Sequence, residues 1–448
     1  MKTQGLIAVL VTVAIVIGVA IFVATGQKTA EPDPVTVDVG ATAKSPEPEL
    51  EPDGVVIPEP KARKPKQKQT RTAKVSNLAE VPDFTYLKNY DFAVTRAEFV
   101  RQVEDIYSVN DNWRPWLNIA EDHVEIVGTG VRVRFAETQA DKVTGVGYWD
   151  VTPKTARLPL SGLHIVIDPG HIGGDFAKME ERYFKLEDLK PAMEGEMTLD
   201  VAKKLAKKLQ TAGAAVTLTR TNNYPVTPLR PKDLRSFVVD KYGASQSESA
   251  IEHRSELFFY RTAEIRSRAE WINQVYRPDL AICLHFNAEA WGDAENPILL
   301  NREHLHLIVN GAYTDGEWAL EDQRFLLLQR IFENTHSVES SISKGVIRAF
   351  DELSDLPAYQ YEANSKRARN VDADPFLWAR NLLATRIYEC PVIFLEPYVM
   401  NSRTTYERIQ AGDYEGRREI AGKSRLSLFE EYASAVAAGV IESVSDSR

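Results

Sequence analysis

From Gly162 onward, short β-branched runs alternate with amphipathic helical stretches, and that alternation restricts the chain to an α/β fold built on a largely parallel sheet. Leu163 to Ile167 is the first such run. Thr198 to Gln210 then places Leu199, Ala202, Leu205, Ala206 and Leu209 on one helical face, with Lys203, Lys204, Lys207 and Lys208 outward. It stops before Gly213, as a helix C-terminus should. Ala215 to Thr219 reads as the next strand and Ala263 to Asn273 as a second helix. Leu280 to Leu284 and Val392 to Leu395 read as buried strands. Leu426 to Ile441 closes the chain with a helix carrying Phe429, Ala433, Val436 and Val440. The predicted fold class is α/β: a twisted, mostly parallel sheet flanked by helices, occupying residues 159–448.

Three stretches precede it. Leu6 to Ala24 is an unbroken apolar run of about nineteen residues, near the roughly twenty a helix needs to cross hydrocarbon. It predicts a transmembrane anchor over residues 1–26. A cleaved signal peptide is the competing reading, but its apolar core is only about 7–15 residues, and Phe22-Val23-Ala24-Thr25-Gly26 makes a poor cleavage site. Lys2 on one side, against Lys28, Glu31 and Asp33 on the other, places the bulk outside the cytoplasm, anchored to the inner membrane and periplasmic. Residues 27–79 read as a disordered linker, because seven prolines and eight carboxylates between Glu31 and Pro60 cannot bury enough surface to offset ordering. The basic run from Lys61 to Lys74 reads as solvated linker, with adhesion to anionic lipid or wall polymer as the sharper alternative.

Residues 80–158 are expected to form a small α+β domain of unassigned role. Thr95-Arg96-Ala97-Glu98 has capping-box spacing ahead of Phe99, Val100, Val103, Ile106 and Tyr107. Val124 to Val127 and Val131 to Phe135, parted by Gly128-Thr129-Gly130, read as a hairpin. Trp113, Trp116, Tyr148 and Trp149 are expected in its core rather than on a sugar-stacking surface. Across the chain, 54 Lys and Arg against 64 Asp and Glu leave a net charge of −10, which argues against a nucleic-acid binder. Cys283 and Cys390 are too few for a disulfide framework and are expected as buried free thiols, so any metal must be held by His and carboxylates.

In open α/β sheets, ligands gather beyond the carboxyl ends of the strands. His171 follows the first strand through Asp168-Pro169-Gly170, His285 follows Leu284, Glu396 follows Leu395, and Glu194 stands just before the first helix. Two imidazoles and one carboxylate form a known catalytic zinc set that leaves a position open for water. A second carboxylate is then free to move protons. The wording of these segments adds a resemblance. Gly162 to Gly174, containing Asp168-Pro169-Gly170-His171, resembles the first metal motif of zinc-dependent N-acetylmuramoyl-L-alanine amidases, bacterial wall hydrolases with an Amidase_3-type domain. Glu194-Gly195-Glu196-Met197-Thr198-Leu199 is similar to that family's ligand glutamate followed five positions later by leucine. Arg268 to Asn273 and Asp279 to Ala288 resemble its arginine helix and its His-x-Asn-Ala strand. Pro391 to Glu396, with Asn401-Ser402, resembles its catalytic-glutamate strand.

The resemblance implies that His171, Glu194 and His285 bind one Zn2+, that Glu396 is the general acid/base, and that peptidoglycan is the substrate. Glu196 competes with Glu194, but the offset to Leu199 favours Glu194. Asp168 and Asn287 are expected either to orient a ligand ring or to make ordinary turn hydrogen bonds. His164 reads as a core histidine, and His304 and His306 as packing residues two apart on one strand face that could reach substrate. Ile172, Pro397 and Tyr398 depart from the family's usual residues. Stretches 221–260 and 291–384 exceed the connections of a compact domain and are expected as insertions or lids, the first a candidate autoinhibitory element relieved by an activator protein. The alternatives are a zinc peptidase cutting within the stem peptide and a non-catalytic wall-binding or divisome module on the same scaffold.

Overall fold

The computed structural model of the protein describes residues 74–144, 149, 151–153, 157–362 and 365–446. The expected anchor, the linker up to residue 73 and Tyr148 lie outside the described residues. Among those described, no helix is long and apolar enough to cross a membrane. Residues 74–79, expected as linker, are laid against the body: Lys74 O accepts from Glu321 N, and Ser76 N donates to Asp322 Oδ1 at 2.8 Å. Satisfied backbone groups, invisible in a polar sequence, order this segment.

In the α+β unit, a helical turn at Phe84–Tyr90 precedes helix α1 (Arg96–Gln102). Thr95 Oγ1 accepts from Glu98 N while Thr95 N donates to Glu98 Oε2, the reciprocal cap expected from the spacing. Strands β1 (Leu117–Ile119), β2 (His123–Ile126) and β3 (Val131–Arg134) form an antiparallel sheet in that order. The body follows with β4 (His164–Pro169), α2 (Glu194–Thr211), β5 (Ala215–Leu218), α3 (Glu264–Glu270), β6 (Leu280–Leu284) and β7 (Leu305–Asn310). It continues with α4 (Glu321–Phe332), α5 (Thr335–Leu353), β8 (Arg369–Asn370), β9 (Leu377–Arg380), β10 (Val392–Pro397) and α6 (Leu428–Asp446). The seven-stranded sheet has the order β8-β9-β7-β10-β6-β4-β5. β5, β4, β6 and β10 run parallel, and β10 meets β7 antiparallel. Central strands are buried on both faces, as β6 and β7 are along their whole length.

Residues 291–384 differ from expectation. Rather than an insertion over the fold, they supply β7 and β9 to the sheet and α5 to the layer that packs on α6. In stretch 221–260, helices Arg235–Tyr242 and Glu248–Phe258 and the turn before them bury Leu234, Phe237, Val238, Ile251 and Phe258 with Ile172 in a separate apolar cluster. The α+β unit docks on α4 through aromatic rings: Phe99 stacks on Phe332 at 5.6 Å, Tyr90 on Phe332 at 5.8 Å, and Phe84 meets Phe325 edge-on at 5.6 Å. Trp113 is buried, Arg324 lies over the Trp116 ring, and Trp149 Nε1 donates to Glu333, so these tryptophans pack the unit.

Candidate metal centre

The site forms where the turn after β4, the first turn of α2 and the end of β6 converge. Gly170 permits the approach, since a Cβ there would come within 2.3 Å of His285 Cε1. The chain then turns at His171 with φ 59°, a left-handed conformation that costs on the order of 1 kcal/mol or more and persists only where contacts impose it. Arg268 of α3 imposes it from one side: Nη1 donates to Asp168 Oδ1 at 2.9 Å and Pro169 O at 2.8 Å, and Nη2 to His171 O at 2.7 Å. Glu180 does so from the other, accepting from Ile172 N and Gly173 N at 2.9–3.0 Å, with Oε1 3.5 Å from His171 Nδ1.

Glu194 is the first residue of α2 rather than a residue before it. A Cβ on Gly195 would fall 2.3 Å from Gly173 N, so glycine lets the helix N-terminus press onto the metal-motif turn. Glu194 Oε1 accepts from Phe286 N at 3.0 Å and lies 3.1 Å from His285 Nδ1. Its Oε2 lies 3.2 Å from His171 Nε2 and 3.0 Å from Arg182 Nε, yet this buried oxygen accepts no well-formed hydrogen bond. One donor atom each from His171, Glu194 and His285 lies within 4.8 Å of the others. Ligand atoms about 2.0–2.2 Å from a tetrahedral ion stand roughly 3.4 Å apart, so an unsatisfied carboxylate oxygen beside an imidazole nitrogen at 3.2 Å fits zinc.

Burial alone would raise Glu194, but the imidazoles of His171 and His285 outweigh it and hold the carboxylate ionised. Burial likewise pulls His171 down, and Glu194 and Glu180 override it to lift the ring to about 9. His285 stays below its ordinary value because burial prevails over Glu194. Its ring stacks on Phe394 at 4.3 Å, and Tyr432 Oη donates to its carbonyl at 3.0 Å. Glu396 lies within β10, which runs two residues beyond the expected end at Leu395. Leu284 pairs with Leu395, so His285 and Glu396 follow side by side. Burial and then the Glu194 charge raise the Glu396 carboxyl well above the carboxylate range, with Arg182 and Arg380 offsetting only part. Two carboxyls with opposed ionisation flank one site, an arrangement suited to acid/base work.

The remaining candidates lie apart from this cluster. Glu196 accepts from Asn223 at 3.4 Å and does not join the imidazoles. Asp168 touches no ligand ring; it accepts from Arg268, Thr219 Oγ1 and Tyr388 Oη and anchors the turn. Asn287 Oδ1 accepts from Ala288 N, a strand-end turn. His164 meets Thr217 Oγ1 at 2.9 Å within the sheet. Cys283 and Cys390 are buried free thiols. Among the described residues, no carboxylate of 221–260 joins the His171, Glu194, His285 group. Glu180 was not legible as a site residue: it sits in the charged run Lys178-Met179-Glu180-Glu181-Arg182, which reads as a solvated surface.

Two histidines beyond strand ends and a glutamate that opens a helix make a group on an α/β sheet that could hold a metal ion. Residues 165–421 match the N-acetylmuramoyl-L-alanine amidase family Amidase_3, and the chain belongs to that family. It is 29% identical over 146 residues to the probable cell wall amidase LytH of Staphylococcus aureus, covering 31% of this chain and 48% of that protein. The chain thus spans about half the length of the curated relatives it matches. Solved structures similar to it include the N-acetylmuramyl-L-alanine amidase of Mycobacterium smegmatis, at 13% identity, TM-score 0.36, and 64% and 98% of the two chains. Another is the CwlD amidase of Clostridioides difficile in complex with the GerS lipoprotein, at 12% identity, TM-score 0.35, and 64% and 100% coverage.

Proposed function

We propose that the chain is a zinc amidase that hydrolyses the amide between the lactyl group of N-acetylmuramic acid and the L-alanine of the peptidoglycan stem peptide. The observation that carries this reading is the meeting of His171, Glu194 and His285 beside the carboxyl of Glu396. When bound, zinc supplies a Lewis acid that brings the pKa of water towards about 7 and stabilises negative charge on the attacked carbonyl oxygen. His285, kept neutral by burial, is ready to ligate, whereas His171 must release a ring proton on loading. Glu396, ionised once the charge of a bound ion offsets the burial that raises it, would take a proton from the attacking water and pass it to the departing amine nitrogen.

We further place the protein in the cell envelope, anchored by Leu6 to Ala24 with the catalytic body outside the cytoplasm. The apolar run and its flanking charges support this. The 221–260 unit packs on Ile172 beside His171 and is the surface through which an activating partner would act. Glu396→Ala is expected to retain one zinc per chain while turnover of purified wall falls about 10²–10⁴-fold. Undiminished turnover would remove the assigned acid/base. Release of intact stem peptides separates this reading from a zinc peptidase, and any turnover separates it from a binding module.

A further inference from the structure

The sheet face that carries Glu396 continues across β7 to β9 with polar groups for which the proposed chemistry has no use. His306 stands opposite Glu396 in the antiparallel register, a pairing that sets Cβ atoms about 4.5–5.5 Å apart. Its Nε2 lies 3.2 Å from Tyr361 Oη, and Arg380 Nη1 donates to the same oxygen at 3.2 Å. Tyr359 packs against His304, His306 and Tyr361 at centroid distances of 4.7 Å, and Trp378 meets Tyr361 at 4.7 Å.

Two features of this block point to a ligand. Among the described residues, the half-buried Arg380 guanidinium makes its side-chain hydrogen bond only to Tyr361 and meets no carboxylate. Both ring nitrogens of His304 and Nδ1 of His306 are buried without a hydrogen-bond partner, the nearest acid being Glu289, 3.6 Å from His304 Nε2. A half-buried cation that forms no ion pair, beside buried ring nitrogens without partners, leaves polar groups that an incoming anion would satisfy. At the scissile amide the two halves of the substrate differ in charge. The glycan half is neutral because its lactyl carboxyl is the acyl group of the amide itself, whereas the peptide half carries free carboxylates. We infer that Arg380, positioned by Tyr361 and flanked by His306, forms a carboxylate subsite for an acidic stem peptide on the amine side of the cleaved bond. The inference rests on the amidase reading and deepens it.

Calorimetric binding to the zinc-loaded full chain tests it, using L-alanyl-D-glutamate, which carries two carboxylates, and its diamide, which carries none. The wild type is expected to prefer the acidic dipeptide by about tenfold, the value of one charge-assisted contact. Arg380→Gln is expected to abolish the preference and Arg380→Lys to retain part of it. Equal affinities in the wild type, or a preference that survives Arg380→Gln, would overturn the subsite. Should Arg380→Gln fail to fold, Tyr361→Phe releases the guanidinium instead, and an undiminished preference in it likewise counts against the assignment. Binding is read without turnover. A chain with the Arg380-dependent preference that cleaves no muramoyl peptide would therefore sink the amidase reading while supporting the subsite.

Discussion

Glu180 gives His171 its orientation. Burial alone would push its carboxyl up, but the His171 ring and the amides of Gly173 and Ile172 keep it ionised. With Oε1 facing Nδ1 at 3.5 Å, it favours the tautomer that holds the proton on Nδ1 and leaves Nε2, 3.2 Å from Glu194 Oε2, free to bind an ion. Glu180→Gln removes the charge at nearly constant volume. Zinc affinity, measured by competition with a chromophoric chelator, is expected to fall about 10–100-fold. An affinity within twofold of wild type would mean that Glu180 holds only the backbone of the turn.

Between elements, α5 and α6 cross closely on the sheet face opposite Glu396. A Cβ on Gly439 would lie 2.3 Å from Val346 Cα, so main chain meets side-chain space with nothing flexible to yield. On an exposed helix, Gly→Ala gains about 1 kcal/mol. Here the clash reverses the sign, and Gly439→Ala is expected to cost about 1–3 kcal/mol and lower the thermal midpoint by several degrees. A raised midpoint would show that the helices separate freely. The period of the sequence makes α2, α6, β4, β6 and β10 legible, and it ties His171, His285 and Glu396 to strand ends. It does not reveal β9, nor that the strand read from the spacing of His304 and His306 enters the main sheet as β7. Leu305–Asn310 is buried on both faces and lacks alternation, and its neighbours are set by register rather than local pattern. The same limit hides Glu180 and the pairing of His306 with Glu396, which exist only once distant segments pack.

For the whole molecule, buried imidazoles far from the metal centre make stability depend on pH. His336 on α5 is buried, with Nδ1 lacking a hydrogen-bond partner. Burial lowers it from 6.5 to about 4; Asp372 opposes this, while Arg101 and Lys344 add to it. A depressed histidine leaves the folded state binding fewer protons than the unfolded chain. Its contribution is therefore complete above pH 6.5 and is lost as the pH falls towards about 4, in total about 3 kcal/mol. Glu339 acts in the opposite sense: burial, only partly offset by Arg330, raises it to about 7, so acidification relieves its charge across an overlapping range. The net profile mixes the two, and a comparison of variants separates them. His336→Phe is expected to flatten the fall in urea midpoint between pH 6.5 and about 4, the stability difference from wild type changing by up to about 1.4 kcal/mol per pH unit. The carboxylates of Asp168 and Glu194, held below their ordinary range, begin to lose their contribution below about pH 5 in both proteins alike and so cancel in the comparison. Parallel profiles for the two proteins would show that His336 is protonated equally in the folded and unfolded chain, and that its buried ring has a proton acceptor after all.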